Sequence, residues 1–171
     1  KSPYKDAKTQ FEYILTTDKT DLSQFSENDK IIQTPIKKIV VTSTTHIPML
    51  ELLGVEETLI GFPNTKYVSS KKTRKLIDDG RIRELGMDAN LNTEVLIDIE
   101  PELVVGFSVS GTNKSLSTIE KRGIPVIYNG DWLEETPLGR VEWIKFFGVL
   151  FNKEDKADSI FKSIENQYNE A

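Results

Sequence analysis

One histidine, His46, and no cysteine set the limits of the chemistry this chain can do. His46 follows a β-branched run at residues 37–43, so it falls at the carboxyl edge of the first regular strand. There it could act as a general acid or base, or as an axial ligand to a heme iron. The simpler reading is a residue in the first turn of a helix, hydrogen-bonded locally. It is preferred because neither a carboxylate nor a thiol converges on His46 in the sequence. Without Cys there is no disulfide, no thiolate-bound zinc or iron–sulfur cluster and no thiol nucleophile. The carboxylates are scattered over helical stretches as solvated faces, and none are spaced as a hard-cation loop. No metal ion held by protein side chains and no cofactor are expected, with His46 on a heme as the one exception.

Phosphate and nucleophile signatures are also missing. The chain has no G-x-G-x-x-G, no G-x-x-x-x-G-K-[ST] and no G-x-S-x-G. "GFSVSG" at 106–111 brings serines to a strand end, but with the wrong spacing for a nucleophile elbow. The strand-end loops are rich instead in aromatic, amide and hydroxyl groups: "STTH" at 43–46, "FPNTKY" at 62–67, "FSVS" at 107–110 and "YNGDW" at 128–132. Such a mixture suits a binding face for a bulky ligand. The competing reading is that Phe62, Phe107 and Tyr128 finish the core.

The elements that must position these loops alternate along the chain. Strands are expected at 37–43, 58–62, 102–107 and 124–130. Helices are expected from Thr44 or Thr45 to Gly54, at 69–80, 92–101, 111–123 and 138–151. A last helix starts at Asn152 as its cap, with Ala157, Ile160, Phe161, Ile164 and Tyr168 in one apolar stripe. Alternation with short connections predicts an α/β fold. Its doubly wound, mainly parallel sheet is flanked by helices on both faces, as one Rossmann-like lobe. Its functional surface lies at the carboxyl ends of the strands. Residues 1–35 are less regular and read as an N-terminal extension, an irregular β hairpin or edge from 11–18 and 30–36.

With 171 residues, 37% hydrophobic and 29% charged, the composition is that of a globular domain with a real core. Twenty-two basic against 27 acidic residues give a net charge of −5, which argues against a nucleic-acid surface. No apolar run approaches the ~20 residues of a membrane span.

The order of motifs resembles a known family. "TPIKKIVVTSTTHIPMLELLGVEETLIGF", "IRELG", "NTEVLIDIEPELVVGF" and "IEKRGIPVIY" look like the N-terminal lobe of class III periplasmic solute-binding proteins. These are the receptors of bacterial ABC importers for iron–siderophore complexes, heme and vitamin B12. The resemblance runs from about Thr34 to the chain end. It implies a non-enzymatic, periplasmic or otherwise extracytoplasmic protein that delivers its ligand to an ABC permease. A lipid anchor at a removed N-terminal segment, as in a lipoprotein, belongs to the same expectation.

The family has two lobes joined by a long helix, with ligand in the cleft between them. The resemblance therefore implies an α/β ligand-binding lobe at 36–151 and the start of the linking helix at 152–171, cut before a second lobe. Its ligand contacts carry over to Thr45, His46, Asn64, Tyr67, Phe107, Ser108, Asn129, Asp131 and Trp132. The expected ligand is a ferric siderophore, heme or cobalamin. The family's permease-docking Glu would fall at Asn113, and the nearest acid on that helix is Glu120. The alternatives are a small-molecule enzyme of the doubly wound class, which the missing motifs disfavour, and an interaction module with no small ligand.

Overall fold

In the computed structural model, which describes residues 8, 11–17, 19–26, 29–88, 90–107 and 113–170, two short strands come first. β1 (Ile14–Thr16) and β2 (Ile31–Gln33) lie side by side. They run parallel, with Ile14 opposite Ile31 and Thr16 opposite Gln33. The extension is therefore not a hairpin. The long connection between the strands leaves room for a parallel return, which a tight turn would forbid.

The β-branched run at the centre of the sequence reading forms β3 (Ile39–Val41). Its three side chains are all buried, because both faces of the sheet are covered. Ile39 and Val41 face a core shared with α1 (His46–Leu53) and, from farther along the chain, with Ile144, Phe147, Ala157 and Phe161. Val40 faces the opposite core, with Leu96, Leu116 and Ile119. α1 ends at Gly54, whose φ of 70° satisfies a left-handed cap.

After α1 come β4 (Leu59–Phe62), α2 (Lys71–Asp78), β5 (Arg83–Glu84) and a small antiparallel pair, β6 (Gly86–Met87) with β7 (Asn90–Leu91). The last three strands were not foreseen. Each has only two residues, too few for a periodic pattern. α3 (Thr93–Asp98), β8 (Leu103–Gly106), α4 (Lys114–Glu120) and β9 (Val126–Tyr128) follow as read from the sequence. Asn92, Asn113 and Ser70 cap α3, α4 and α2 through side-chain acceptors.

The main sheet is wholly parallel, in the order β5-β4-β3-β8-β9. From β3 the chain first builds outward through β4 to β5, then returns to build β8 and β9 on the other side. The strand order thus reverses between β3 and β8. At the opposite end of these two strands, Glu102 clasps the amino edge. Its Oε2 accepts the backbone N–H of Lys37 at 2.6 Å and of Lys38 at 3.2 Å.

Two corrections concern the C-terminal third. The expected single helix at 138–151 is two, α5 (Pro137–Val141) and α6 (Trp143–Leu150). They meet at Glu142, whose carbonyl accepts Lys145 N–H in a tighter, three-residue step. Asn152 does not cap the last helix, α7 (Glu154–Glu170). With φ at 53°, it closes α6. Lys153 N–H reaches Gly148 O at 2.8 Å and Asn152 N–H reaches Val149 O at 3.4 Å, the paired bonds of a left-handed helix end. α7 then packs back on α6 so closely that a Cβ on Gly148 would stand 2.6 Å from Ala157 Cβ. Only Ala157 and Phe161 of α7 are buried, and residues 166–170 are all exposed.

Candidate functional site

At the carboxyl ends of the strands the loops are held by backbone hydrogen bonds, such as Asn64 N–H to Gly86 O at 2.8 Å and Asn129 N–H to Gly106 O at 2.8 Å, and by side chains. After β4, the chain passes Pro63 and turns at Asn64 in the left-handed region, φ 49°. Asn tolerates that conformation better than most residues. A 3₁₀ turn, Thr65–Tyr67, follows. Glu84 at the end of β5 holds this turn in place. Its carboxylate accepts the backbone N–H groups of Asn64, Thr65 and Gly86, each at 2.9 Å, and the Thr65 hydroxyl. Burial alone would raise the Glu84 pKa, but these hydrogen bonds outweigh it and the net shift is downward. Arg74 of α2 grips the turn from behind, donating to Thr65 O at 2.6 Å and Val68 O at 2.8 Å.

Between this turn and the ends of β3 and β8 lies an open cavity of about 250 Å³. It occupies the point of strand-order reversal, where open α/β sheets bind ligands. Thr42, Ser43 and Thr44 line one side, Asn64, Tyr67 and Asp88 another, and Phe107 a third. The sides are tied together, since Phe107 N–H donates to Thr42 Oγ1 at 3.2 Å. Tyr67 is 65% exposed and stands at the rim, with the Lys66 ammonium 4.9 Å from its ring centre. Asp88 is half-buried. Burial holds its carboxyl above the ordinary value, a hydrogen bond from the Asn64 side chain opposes that, and the Glu84 charge adds to it.

The β9 end is built differently. Asn129 has no exposed surface, and Asp131 retains 5%. The Asn129 side-chain oxygen accepts Asp131 N–H at 2.8 Å, which shapes the turn into the 3₁₀ segment Asp131–Leu133. His46 is fully buried beneath this turn, with Nε2 3.9 Å from Asp131 Oδ1 and its ring 5.5 Å from that of Phe147. Neither ring nitrogen has a hydrogen-bond partner among the described residues, and the same holds for Asn129 Nδ2 and Trp132 Nε1. Burial lowers the His46 pKa to about 4 against the opposing attraction of Asp131.

The sequence-predicted residues thus separate into two sets. Asn64, Tyr67 and Phe107 line the cavity, and exposed Thr45 lies beside it, its hydroxyl 2.8 Å from Ser43 Oγ. His46, Asn129 and Asp131 belong instead to the packed interior, and Trp132 is half-buried next to them. His46, Asn129 and Asp131 thus present little or no surface at this edge. His46 stands in the first turn of α1 and is hydrogen-bonded locally through its backbone, as the simpler reading has it, its N–H donating to Ser43 O at 3.1 Å, while neither ring nitrogen finds a partner among the described residues. Ser108 lies outside the described residues.

Phe62 and Tyr128 complete the core, at 2% and 5% exposure. Glu84 and Asp88 were missed. The signal was present in their four-residue spacing around Gly86 and Met87, which brings both acids to one tight turn. Glu120 is the last residue of α4 and pairs with Lys30 at 2.6 Å. Among the described residues, no group of His and acids is placed to hold a metal ion, and no helix is long and apolar enough to cross a membrane.

Comparison with known proteins agrees with this architecture. An uncharacterized lipoprotein of Methanocaldococcus jannaschii is 27% identical over 149 residues, 84% of this chain and 36% of that protein. An iron-binding candidate of the periplasmic solute-binding type from Staphylococcus epidermidis superposes with a TM-score of 0.65 at 19% identity, over 80% of this chain and 50% of that one. A periplasmic heme-binding protein from Pseudomonas aeruginosa gives 0.64 at 17% identity, over 79% and 45%. The chain spans between 36% and 50% of the length of the curated relatives it matches. Residues 39–171, which carry the whole parallel sheet and α7, match the family described as periplasmic binding protein, and the chain belongs to that family.

Proposed function

We propose that this chain forms one wall of a cleft that captures a bulky iron chelate outside the cytoplasm for delivery to an ABC permease. The ligand is a siderophore complex, heme or a related metal complex such as cobalamin. The observation that carries the reading is the open cavity at the β3/β8 reversal, lined by hydroxyl, amide and aromatic groups on a hydrogen-bonded scaffold. Such groups orient a ligand without reacting with it. The similar proteins described as iron-binding and heme-binding support the ligand class. A catalytic reading finds no support, because the one histidine lies under the surface beside Asp131 and Ser43 Oγ is engaged with Thr45.

A cavity of about 250 Å³ is smaller than the ~300–1,000 Å³ that encloses a drug-sized ligand, as befits a wall that needs a facing partner. Loss of half the contacts weakens binding by several kcal/mol, so this chain alone is expected to bind at roughly millimolar affinity. The test is an amide-shift titration of the chain with gallium-substituted hydroxamate siderophore, gallium protoporphyrin and cyanocobalamin. Selective shifts at Ser43, Asn64, Tyr67 and Phe107 with one of these are expected. Absence of any shift at these positions up to millimolar ligand would sink the proposal.

A further inference from the structure

Two exposed glutamates clasp backbone at opposite ends of the sheet. At the amino edge, Glu102 accepts the N–H groups of Lys37 and Lys38. At the carboxyl edge, Glu84 accepts those of Asn64, Thr65 and Gly86, and the Thr65 hydroxyl as well. The second clasp holds the cavity lining: Asn64 directly, and Tyr67 through the 3₁₀ turn that Thr65 begins. Lys37 and Lys38, held by the first, are not among the lining residues described.

The turn held by Glu84 is not one that the chain adopts freely. Asn64 has a φ of 49°, a left-handed conformation that costs energy in any residue but Gly. Its N–H is shared between Glu84 Oε1 at 2.9 Å and Gly86 O at 2.8 Å. Thr65 is gripped from both sides by opposite charges. Its N–H meets Glu84 Oε2 at 2.9 Å, and its carbonyl accepts Arg74 Nη2 at 2.6 Å. All four partners of Glu84 present hydrogens to it, which suits the two acceptor oxygens of a carboxylate. An amide of the same shape would turn its own N–H groups against one pair of these donors.

We infer, resting on the ligand-wall reading above, that Glu84 is a positioning residue for the ligand. Its carboxylate presets Asn64 and Tyr67 in the geometry in which they meet the ligand, and sets affinity through them. The physical reason is preorganisation. A turn ordered before binding does not have to be ordered at the expense of the ligand's contacts. A released turn would lose backbone entropy each time a ligand arrived. A change at position 84 should therefore tell on affinity, whereas the same change at position 102 should tell on stability alone.

The test compares Glu84→Gln with Glu102→Gln in the 171-residue chain. Urea unfolding reads stability. Amide-shift titration with gallium(III) desferrioxamine B, gallium protoporphyrin IX and cyanocobalamin reads the dissociation constant of each probe that shifts the wild type. Glu84→Gln should weaken binding roughly fivefold or more, with faster hydrogen exchange at Asn64 and Thr65. Glu102→Gln should bind within about twofold of wild type even where it loses as much stability, a contrast that a merely structural role of Glu84 would not produce. An unchanged dissociation constant in folded Glu84→Gln, or equal weakening in both variants, overturns the inference. The wild-type shifts would then leave the ligand-wall reading standing. Should Glu84→Gln fail to fold, Thr65→Val decides, since it removes only the hydroxyl donor. Weakening of about twofold is then expected, and none overturns the inference. If no probe shifts any amide around the cavity of the wild type, that reading and this inference fall together.

Discussion

The two flanks of the sheet's carboxyl edge solve the same problem in opposite ways. At the β4–β5 flank, Glu84 and Arg74 spend their charge on loop backbone, and the turn they hold stays open to solvent. At the β9 flank, His46, Asn129 and Asp131 are drawn under the surface and keep polar atoms there without a hydrogen-bond partner among the described residues. The first arrangement gives a held face whose polar and aromatic groups border an open cavity. The second gives a packed base whose polar atoms lack hydrogen-bond partners among the described residues and so cost stability. Polar residues in strand-end loops are therefore not equivalent, because burial separates those that border the cavity from those enclosed in the interior.

The largest expected difference between the flanks is in acid. His46 sits at about 4 when folded and near 6.5 when unfolded. Below pH 6.5 the unfolded chain takes up a proton that the folded chain refuses. Stability contributed by this group is thus complete above pH 6.5 and is lost as pH falls toward 4, on the order of 3 kcal/mol in all. Urea unfolding of the wild type and of His46→Leu at pH 7 and pH 4 checks it. The variant should lose markedly less stability between the two, and an identical loss in both proteins would count against the buried imidazole.

Next in size is Glu84→Ala. Removing the acceptor of three backbone N–H groups should cost about 2 kcal/mol and speed hydrogen exchange at Asn64, Thr65 and Gly86. Amides around Asn129 should not respond, and equal acceleration at both flanks would erase the contrast drawn here. Smaller again is Tyr67→Ala. An exposed rim residue should change stability by no more than about 0.5 kcal/mol, yet chelate binding should weaken several-fold as an aromatic contact is lost.

The smallest effect lies in α7, where the contrast between packed and open recurs along a single helix. Amides near Ile160 should be strongly protected and those beyond Gln167 scarcely so, since nothing covers the exposed stretch at 166–170. Uniform protection in dilute protein would refute it.

Much of this architecture is legible in the sequence where a pattern is long enough to repeat. The runs around Ile39–Val41 and Leu103–Gly106, and the stripe of Ile144, Phe147 and Leu150, announce the sheet and the helix that packs on it. β5, β6 and β7 escape because two residues carry no period. Asn152 misleads because Asn serves both as a helix start and as a left-handed helix end, and only the backbone shows which. The parallel course of β1 and β2 is fixed by how the connection folds, on which its polar composition is silent. For the candidate site, residue type indicates which loops carry polar groups but not how deep those groups lie. Asn64 and Asn129 look alike in sequence, yet one lines the cavity and the other is wholly enclosed. Glu84 and Asp88 resembled ordinary solvated acids because the turn that gathers them is formed by those unread short strands.

The clasp between Glu102 and residues 37 and 38 also has a consequence in time. Ile39 pairs with Leu103, 64 positions later, so the middle of the sheet cannot close until most of the chain has been made. The turn that joins α6 to α7 needs only neighbours a few residues apart. Long-separation pairing is slow because a large loop must be closed before any contact rewards it. A ribosome releasing this chain would hold β3 and β4 for some time without their central neighbour. The amino-edge clasp, formed by backbone already adjacent to β3, is positioned to fasten β8 in register as soon as it arrives.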